Sequence, residues 1–434
     1  MNKKHVKWLL SELPALVERS VISRETAEKI SDYYGKAVES GSGRRIAMAV
    51  FGAFGSLLIG AGAILLIAHN WDSMSRPARA ALAIAPLVIS NLIGLWIILT
   101  DRRSTAWQEG AATGICLSIA ASIALVGQTY HIGGDLGGFL FAWMILSVPL
   151  LYTFRAVVPF LIYLAGITGW AGYQAGRDLP TWFFWMLIAA AAPRLVMDAR
   201  SNMYSARVAW PMWLLMPCVG FGLGFTLDYD CPATWIVAFS SLLALFYLSG
   251  RVLYDREQPA ILRPFQTGGA IAITIFSFLL SFRFIWQETG HAALSADGLR
   301  DTAVAAVLLI LCCMLAPFSV RRSGPAALLY GCAPAVAVAS WSAYLSLEFR
   351  ALAVAINNLY IFALGIGTMI SALRQSSLVL LNASMVVLAS LILIRFFDLE
   401  IGLVARGIAF MAIGAAFLAA NIVMARRFRA GGRK

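Results

Sequence analysis

Residues 46–68 read IAMAVFGAFGSLLIGAGAILLIA, a stretch of 23 residues without a charged side chain. An α-helix needs roughly 17–25 apolar residues to cross the hydrocarbon core of a bilayer. The apolar core of a cleavable signal peptide is shorter, at about 7–15 residues. The stretch therefore predicts a transmembrane helix and no cleavable signal peptide.

The composition of the whole chain agrees with a lipid environment. The 434 residues are 60% hydrophobic and only 13% charged. A soluble protein is about 45–50% apolar and about 25% charged. Because too few polar side chains remain to cover a water-facing surface, we expect most of the chain to lie in a membrane.

Fourteen apolar runs follow one another from Ile46 onward. They cover residues 46–68, 78–99, 110–127, 137–153, 157–173, 182–197, 208–227, 234–250, 265–286, 302–318, 325–345, 351–371, 377–394 and 404–424. The fourth, fifth, sixth and tenth runs are short for a full span, so two of the runs forming a re-entrant pair is an alternative that stays open. The pattern predicts an all-α, polytopic bundle of about 14 transmembrane helices.

The basic residues indicate how this bundle is oriented. With the N-terminus inside, the inner segments hold 26 of the 34 Lys and Arg residues and the outer segments hold 8. Short cytoplasmic segments are enriched in Lys and Arg. We therefore predict that both ends lie in the cytoplasm. The net charge of +12 follows from this topology and from contact with the lipid bilayer, and we expect no nucleic-acid partner.

A polar segment precedes the first run and has the pattern of two short helices. Apolar residues recur with helical period over His5–Val17, and Ser23 can cap a second helix with Glu25 in its first turn. Gly41-Ser42-Gly43 then interrupts the pattern. We predict a short cytoplasmic helical hairpin over residues 1–45.

Polar residues cluster at the predicted outer ends of the first and third spans. The cluster consists of His69, Asn70, Trp71 and Asp72 in one segment and Gln128, Tyr130, His131 and Asp135 in the other. Two of the four histidines of the chain therefore lie at matching depth, and each is followed by an Asp. A histidine beside a carboxylate can bind a cation or relay a proton. The alternative is that these residues only cap and anchor helix ends at the interface.

Inside the runs, Asn357 is the one polar residue that we add to this hypothetical substrate site. An intramembrane Asn either bonds across a helix interface or contacts a substrate. No run of intramembrane acidic or basic residues indicates a proton path or a voltage sensor.

The sequence contains no signature of a metal, a cofactor or a catalytic group. The six cysteines include no C-x-x-C pair, and most lie within apolar runs, where they read as small buried side chains. Nucleotide-binding, zinc-protease and serine-hydrolase motifs are not found. We therefore predict no catalytic residues, no metal and no cofactor.

Three segments resemble a known family. They are Leu16–Glu25 (LVERSVISRE), Gly60–Asp72 (GAGAILLIAHNWD) and Gln128–Asp135 (QTYHIGGD). They are similar to the bacterial membrane proteins grouped as DUF2157, a domain of unknown function, and the resemblance covers roughly residues 8–155. It implies a location in the bacterial inner membrane and no settled activity. The expected divisions are a hairpin at 1–45, a DUF2157-like membrane region at 46–155, a further bundle at 156–424 and a basic tail at 425–434.

Three classes of function stay open. The leading hypothesis is a transporter or flippase that binds or moves a small or lipid-linked substrate through an outward-facing site. The alternative is a non-catalytic scaffold or sensor whose hairpin binds a partner. A membrane-embedded transferase is third, with Asp228 and Asp230 in a short outer connection. An enzyme is disfavoured because the connections leave no room for a soluble catalytic domain. A homodimer or a partner membrane protein also stays open.

Overall fold

The structure is a computed structural model. It describes residues 3–39, 69, 71–101, 104–177, 179–227, 234–255, 257–286, 296–347, 350–375 and 377–398, and the single positions 407, 408, 411, 414, 415 and 418. The described residues form fifteen α-helices and no strand. The chain divides into two compact units, residues 1–81 and 82–434, and each is described by itself. The predicted first run at 46–68, and most of the last run, lie outside the described residues.

The helices follow the predicted apolar runs closely. In chain order they are α1 Lys3–Glu18, α2 Arg24–Glu39, α3 Arg76–Leu99, α4 Thr105–Tyr130, α5 Leu136–Thr153, α6 Val158–Ala175, α7 Phe183–Asn202, α8 Ala206–Thr226, α9 Thr234–Leu253, α10 Pro264–Leu280, α11 Ala296–Ser323, α12 Leu328–Gly331, α13 Ala333–Leu347, α14 Arg350–Arg374 and α15 Leu378–Asp398.

The first unit contains the two N-terminal helices, which pack against each other through Leu13 and Ala27. The Ser23 hydroxyl accepts a hydrogen bond from the Thr26 N–H at 3.2 Å, so the predicted cap of the second helix is confirmed. Ser20 adopts a left-handed conformation with φ of 55° in the turn between the helices. The cytoplasmic location of this hairpin stays a prediction, as do the domain limits at residues 45, 155 and 424.

Eight of the described helices are long and apolar enough to cross a membrane. These are α3, α4, α5, α8, α9, α11, α14 and α15. The pair Pro325–Gly331 and Ala333–Tyr344 is bent by 44° at a short break and becomes a ninth span if it counts as one element. Helix α10, with 17 residues, is apolar but shorter. The described residues therefore establish a membrane bundle, and the number 14 stays a prediction.

The connections of the second unit fall into two groups, one at each end of the bundle. We call the first group the Asp135 face. Asp135, between α4 and α5, forms an ion pair with Arg177, which follows α6, at 3.1 Å. The Thr181 hydroxyl donates to the Phe225 carbonyl near the end of α8. Arg300, near the beginning of α11, donates to the carbonyl of the last residue of α8.

We call the opposite group the Arg251 face. The Tyr204 hydroxyl, between α7 and α8, donates to the Asp255 carboxylate after α9 at 2.8 Å. Arg322, near the end of α11, forms an ion pair with the same carboxylate at 3.6 Å. Arg251 donates to the Ser323 carbonyl at 2.9 Å. Helices α7, α9 and α11 therefore end at the Arg251 face, and α8 runs in the opposite direction.

Helix α9 lies at the centre of the second unit. Of its most apolar 18-residue window, 56% is buried inside the protein, against 17% for α11. Two glycines permit its closest contact. A Cβ atom at Gly250 would lie 2.3 Å from the Gln266 nitrogen, and one at Gly269 would lie 2.7 Å from the Tyr247 nitrogen. Helices α9 and α10 therefore touch through their backbones.

Candidate functional site

The first segment of the predicted outer site belongs to the unit of residues 1–81. His69 is helical and exposed, and Trp71 is half-buried in a 3-10 turn over Trp71–Ser73. The Arg79 guanidinium lies 5.7 Å from the centre of the Trp71 ring, within range of a cation–π contact. Asn70 and the side chain of Asp72 lie outside the described residues.

The second segment lies where α4 ends and α5 begins. Gln128, Tyr130 and His131 are exposed, and His131 ends α4 in a left-handed conformation with φ of 52°. The backbone N–H of His131 donates to the Gly127 carbonyl, so the backbone of this residue caps the end of the helix. Because the two segments belong to different units, their pairing into one site stays a proposal.

Asp135 has a structural role of its own. Its carboxylate caps α5 by accepting from the Gly138 N–H at 2.9 Å, and it also pairs with Arg177. The Arg177 guanidinium in turn lies 4.4 Å from the centre of the Tyr173 ring. The hydrogen bond from Gly138, followed by that from Tyr173 and the charge of Arg177, lowers the pKa of Asp135 below its ordinary value. The carboxylate is therefore kept ionised at the beginning of α5.

Asn357, the remaining predicted residue, is buried in the bundle with 1% exposure. Its side-chain nitrogen donates to the Ser340 hydroxyl of α13 at 3.0 Å and to the Ala353 carbonyl of its own helix at 2.9 Å. It lies seven residues after the beginning of α14, which places it about 10 Å along the helix axis.

A small cavity adjoins Asn357. The described residues that line it come from α9, α10, α13 and α14, and they are Ser240, Leu243, Ile273, Phe276, Ser277, Leu280, Ala333, Val336, Ala337, Asn357 and Tyr360. Its space for the centre of a water molecule is about 10 Å³. This is close to the minimum that one water needs. The cavity is thus small, and its described lining is polar in part and uncharged.

The cavity lies beside the break between α12 and α13, and the sequence explains that break. Pro334 has no N–H to give to the Tyr330 carbonyl, and a proline ring clashes with the carbonyl four residues earlier. The Tyr360 hydroxyl partly replaces the missing donor, since it donates to the Leu329 carbonyl at 3.1 Å and also lies within 3.4 Å of the Tyr330 carbonyl. Non-helical backbone within a membrane is tolerated where it is buried in protein or lines a cavity.

Sequence reasoning selected Asn357 and missed its neighbours. Ser240, Ser277 and Ser340 are isolated serines in apolar runs, and such serines are common in transmembrane helices. The available signal was Pro334, in the middle of the run 325–345, because a proline there interrupts a helix.

A second feature that the sequence did not reveal is a charged pair inside α7. Arg194 and Asp198 form two hydrogen bonds of 3.0 and 2.8 Å, and the Arg194 side chain is only 9% exposed. Spacing of four residues on a helix places the two side chains together.

The described residues contain no group of three or more His, Cys, Asp or Glu side chains that could hold a metal ion. The predicted Asp228 and Asp230 lie outside those residues, so the transferase hypothesis gains no geometry.

Several described helices are long and apolar enough to cross a bilayer, and many of their polar side chains bond within the protein, as is typical of an integral membrane protein. Residues 14–160, about a third of the chain, match the family described as "Predicted membrane protein (DUF2157)". The resemblance seen in the sequence is thereby confirmed over these residues. No curated protein and no solved structure matches the chain.

Proposed function

We propose that this membrane protein binds or moves a small polar molecule, or the polar part of a lipid-linked one, through the cavity beside Asn357. The observation that carries the proposal is the coincidence of a buried, partly polar cavity with a broken transmembrane element. In many transporters, discontinuous helices form the substrate site near the middle of the bilayer.

The lining of the cavity favours an uncharged polar group as the part of the substrate that enters. Ser240, Ser277 and Asn357 supply hydroxyl and amide groups, and no charged side chain belongs to the described lining. A buried charge without a partner is costly, so a charged group would be excluded from this form of the cavity.

Access requires a second conformation, because the described cavity has room for about one water. The break before α13 is the hinge in this proposal, since Pro334 removes a backbone hydrogen bond there. In this proposal Gln128 and His131, where α4 ends, lie on the outer side of the membrane.

The proposal includes an orientation in the bacterial inner membrane. The Arg251 face lies in the cytoplasm together with both ends of the chain, and the Asp135 face lies outside. This arrangement rests on the excess of Lys and Arg in the inner segments. The proposal also keeps all 14 predicted transmembrane spans.

Solvent access to position 357 tests the proposal. We would place single cysteines in a version without the six native cysteines and label membrane vesicles with a charged, impermeant thiol reagent. Leu359→Cys is the matched control, because Leu359 is two residues away and 70% exposed on the apolar outside of the bundle. His131→Cys reports access from the outer side.

We expect labelling at positions 357 and 131 and none at 359. If position 357 stays unlabelled in vesicles of both orientations while position 131 reacts, the cavity does not open to water and the transport proposal is wrong.

A second candidate, a scaffold or sensor, is favoured by the N-terminal hairpin. The turn of the hairpin exposes Val21 at 65%, and its second helix exposes Tyr33 at 74%. Removal of residues 1–39 should abolish partner capture in that case and leave labelling of position 357 unchanged.

A further inference from the structure

Helix α12 lies between the cavity beside Asn357 and the Arg251 face. It follows α11, whose end belongs to that face, and it precedes Ala333, which lines the cavity. Helix α14 gives the same order, since Thr368 comes eight residues after the cavity-lining Tyr360, about 12 Å further along the helix axis. A molecule that leaves the cavity towards the Arg251 face would therefore pass α12.

The short helix α12 fits closely against its neighbours on two sides. Gly331 faces α9, where an added Cβ would lie 2.8 Å from the Leu248 side chain. On the side of α14, a Cβ added at Gly367 would lie 2.6 Å from the Leu329 side chain. Helix α12 is therefore in close contact with both α9 and α14.

The Tyr330 hydroxyl fastens α12 to α14. It shares a hydrogen bond of 2.8 Å with the Thr368 hydroxyl. The Thr274 side chain of α10 also bonds to this phenol, and the centre of the Tyr330 ring lies 5.0 Å from that of Tyr247 on α9. Tyr330 thus contacts three of the helices that line the cavity.

The bond between Tyr330 and Thr368 is suited to reversible closure. Both partners are neutral hydroxyl groups, so each can bond to water after they separate, and no buried charge is left without a partner. Pro334 lies four residues after Tyr330 and cannot donate the backbone hydrogen bond that would tie the Tyr330 carbonyl to α13. Helix α12 can therefore move relative to α13 once the side-chain bond is broken.

We propose that α12 is a gate between the cavity and the Arg251 face, and that the bond between Tyr330 and Thr368 holds this gate closed. The inference rests on the proposed function, since a gate serves a cavity that exchanges molecules with water. In secondary transporters, access alternates because one group of helices moves against another around a fixed site. Separation of the two hydroxyls opens the cavity towards the Arg251 face and leaves its access from the Asp135 face unchanged.

Labelling from each side of the membrane tests the gate. The reporter is Ser240→Cys, a small change at a lining residue with 3% exposure, in a version without the six native cysteines. Inside-out and right-side-out vesicles of the full-length protein receive the impermeant thiol reagent. Glu257→Cys, at an exposed position after α9, identifies the vesicles that present the Arg251 face to the reagent.

Three substitutions act on the bond itself. Tyr330→Phe and Thr368→Val each remove one hydroxyl group, and Thr368→Ser keeps it. Tyr163→Phe is the matched control, because the Tyr163 hydroxyl also bonds inside the bundle, where it donates to the Leu187 carbonyl at 2.8 Å between α6 and α7.

We expect Tyr330→Phe and Thr368→Val to raise the labelling rate of position 240 from the Arg251 face by about 3- to 10-fold, since loss of one neutral hydrogen bond changes an equilibrium by about that factor. The double variant should gain no more than either single variant. Thr368→Ser and Tyr163→Phe should label at the original rate, and labelling from the Asp135 face should not rise in any variant.

An unchanged rate after Tyr330→Phe and Thr368→Val, an equal gain from both faces, or an equal gain after Tyr163→Phe would each overturn the gate. Failure of the proposed function has a different result. Position 240 then stays unlabelled from both faces while Tyr330 and Thr368 are intact. Labelling confined to the variants that lack a hydroxyl would show that the bond closes the cavity, although the cavity of the native protein exchanges nothing with water.

Discussion

Asn357 combines a structural and a hypothetical functional role in one side chain. Its amide nitrogen bonds the Ser340 hydroxyl across the interface of α13 and α14, and it also bonds the backbone of its own helix. Bonds of this kind between membrane helices are worth about 0.6 kcal/mol on average and about 1.7 at most. The bond alone therefore contributes modestly to stability.

A double-mutant cycle on this pair measures the bond. We expect Asn357→Ala and Ser340→Ala to couple by about 0.5–1.7 kcal/mol in unfolding from mixed micelles. Ser384→Ala is the control, since the Ser384 hydroxyl is buried but donates to Leu381 within its own helix. A coupling between positions 357 and 340 no larger than that between 357 and 384 would contradict the hydrogen bond.

Asp135 should make the stability of α5 depend on pH. Its folded-state pKa is lowered, so its stabilising effect is complete above the ordinary pKa near 3.8 and is lost as the pH falls through the lower folded value. Asp135→Ser keeps a capping side chain without a charge. The melting temperature of the wild type relative to this variant should therefore fall between about pH 4 and pH 2 and stay constant above about pH 5. A difference that is the same at pH 3 and pH 6 would rule out the ionised cap.

At the scale of elements, the break between α12 and α13 depends on two residues far apart in sequence. Pro334 removes the backbone donor for the Tyr330 carbonyl, and the Tyr360 hydroxyl of α14 is shared between that carbonyl and the one of Leu329. The sequence shows the proline, but it does not show that Tyr360 donates to carbonyls beside the break. A tyrosine 26 residues later in the chain carries no local pattern that identifies its hydrogen-bond partner.

Removal of the Tyr360 hydroxyl should cost more stability when Pro334 is present than when it is replaced. We expect Tyr360→Phe to lower the unfolding free energy by about 1–3 kcal/mol, since buried carbonyls lose a donor. In a Pro334→Ala background the restored N–H should reduce this cost. Tyr130→Phe, at an exposed tyrosine, should have little effect. Equal costs of Tyr360→Phe in both backgrounds would show that the two residues act independently.

The contact of α9 with α10 depends on the absence of side chains at two positions. Gly250→Ala and Gly269→Ala should each destabilise by about 1–3 kcal/mol, because the added carbon meets backbone atoms that cannot rotate away. Gly220→Ala on α8 should be neutral or stabilising, since its Cβ would meet no atom within 4 Å. Thermal unfolding in detergent measures all three, and similar midpoints for the variants at 250 and 220 would contradict the close approach.

At the scale of the molecule, the sequence predicted the class of fold well and its details less well. Hydropathy located the helices because lipid demands long apolar runs. It placed the ninth run at 265–286, whereas α10 ends at Leu280 and the remainder folds back as a short 3-10 turn. The buried Trp286 indole donates there to the Leu280 carbonyl, and an apolar residue of that kind looks the same to hydropathy in a helix or in a turn. The cavity lining escaped prediction for a related reason, because an isolated serine has no local sign of burial.

Labelling of the connections tests the two faces. Single cysteines at Glu257 and Gln375 should react from one side of the membrane, and those at Gly134 and Leu179 from the other. The ion pairs of the second unit carry this expectation for positions 257, 134 and 179, and the predicted order of the spans carries it for position 375. With the orientation proposed above, the first two are cytoplasmic. Reaction of positions 257 and 179 from the same side would contradict the alternation of the helices.

The buried pair in α7 affects how the protein is made. An Arg or Asp at the centre of a helix raises the free energy of insertion into the membrane by the translocon by about 2.5–3.5 kcal/mol. Helix α7 is also not among the helices that are apolar enough to span the membrane by themselves. Arg194 and Asp198 lie one turn apart and can leave water as a neutral pair, which reduces this cost. Helix α7 should therefore enter the bilayer together with its neighbours during synthesis. Loss of Asp198 would then appear first as a defect of biogenesis, with less protein reaching the membrane.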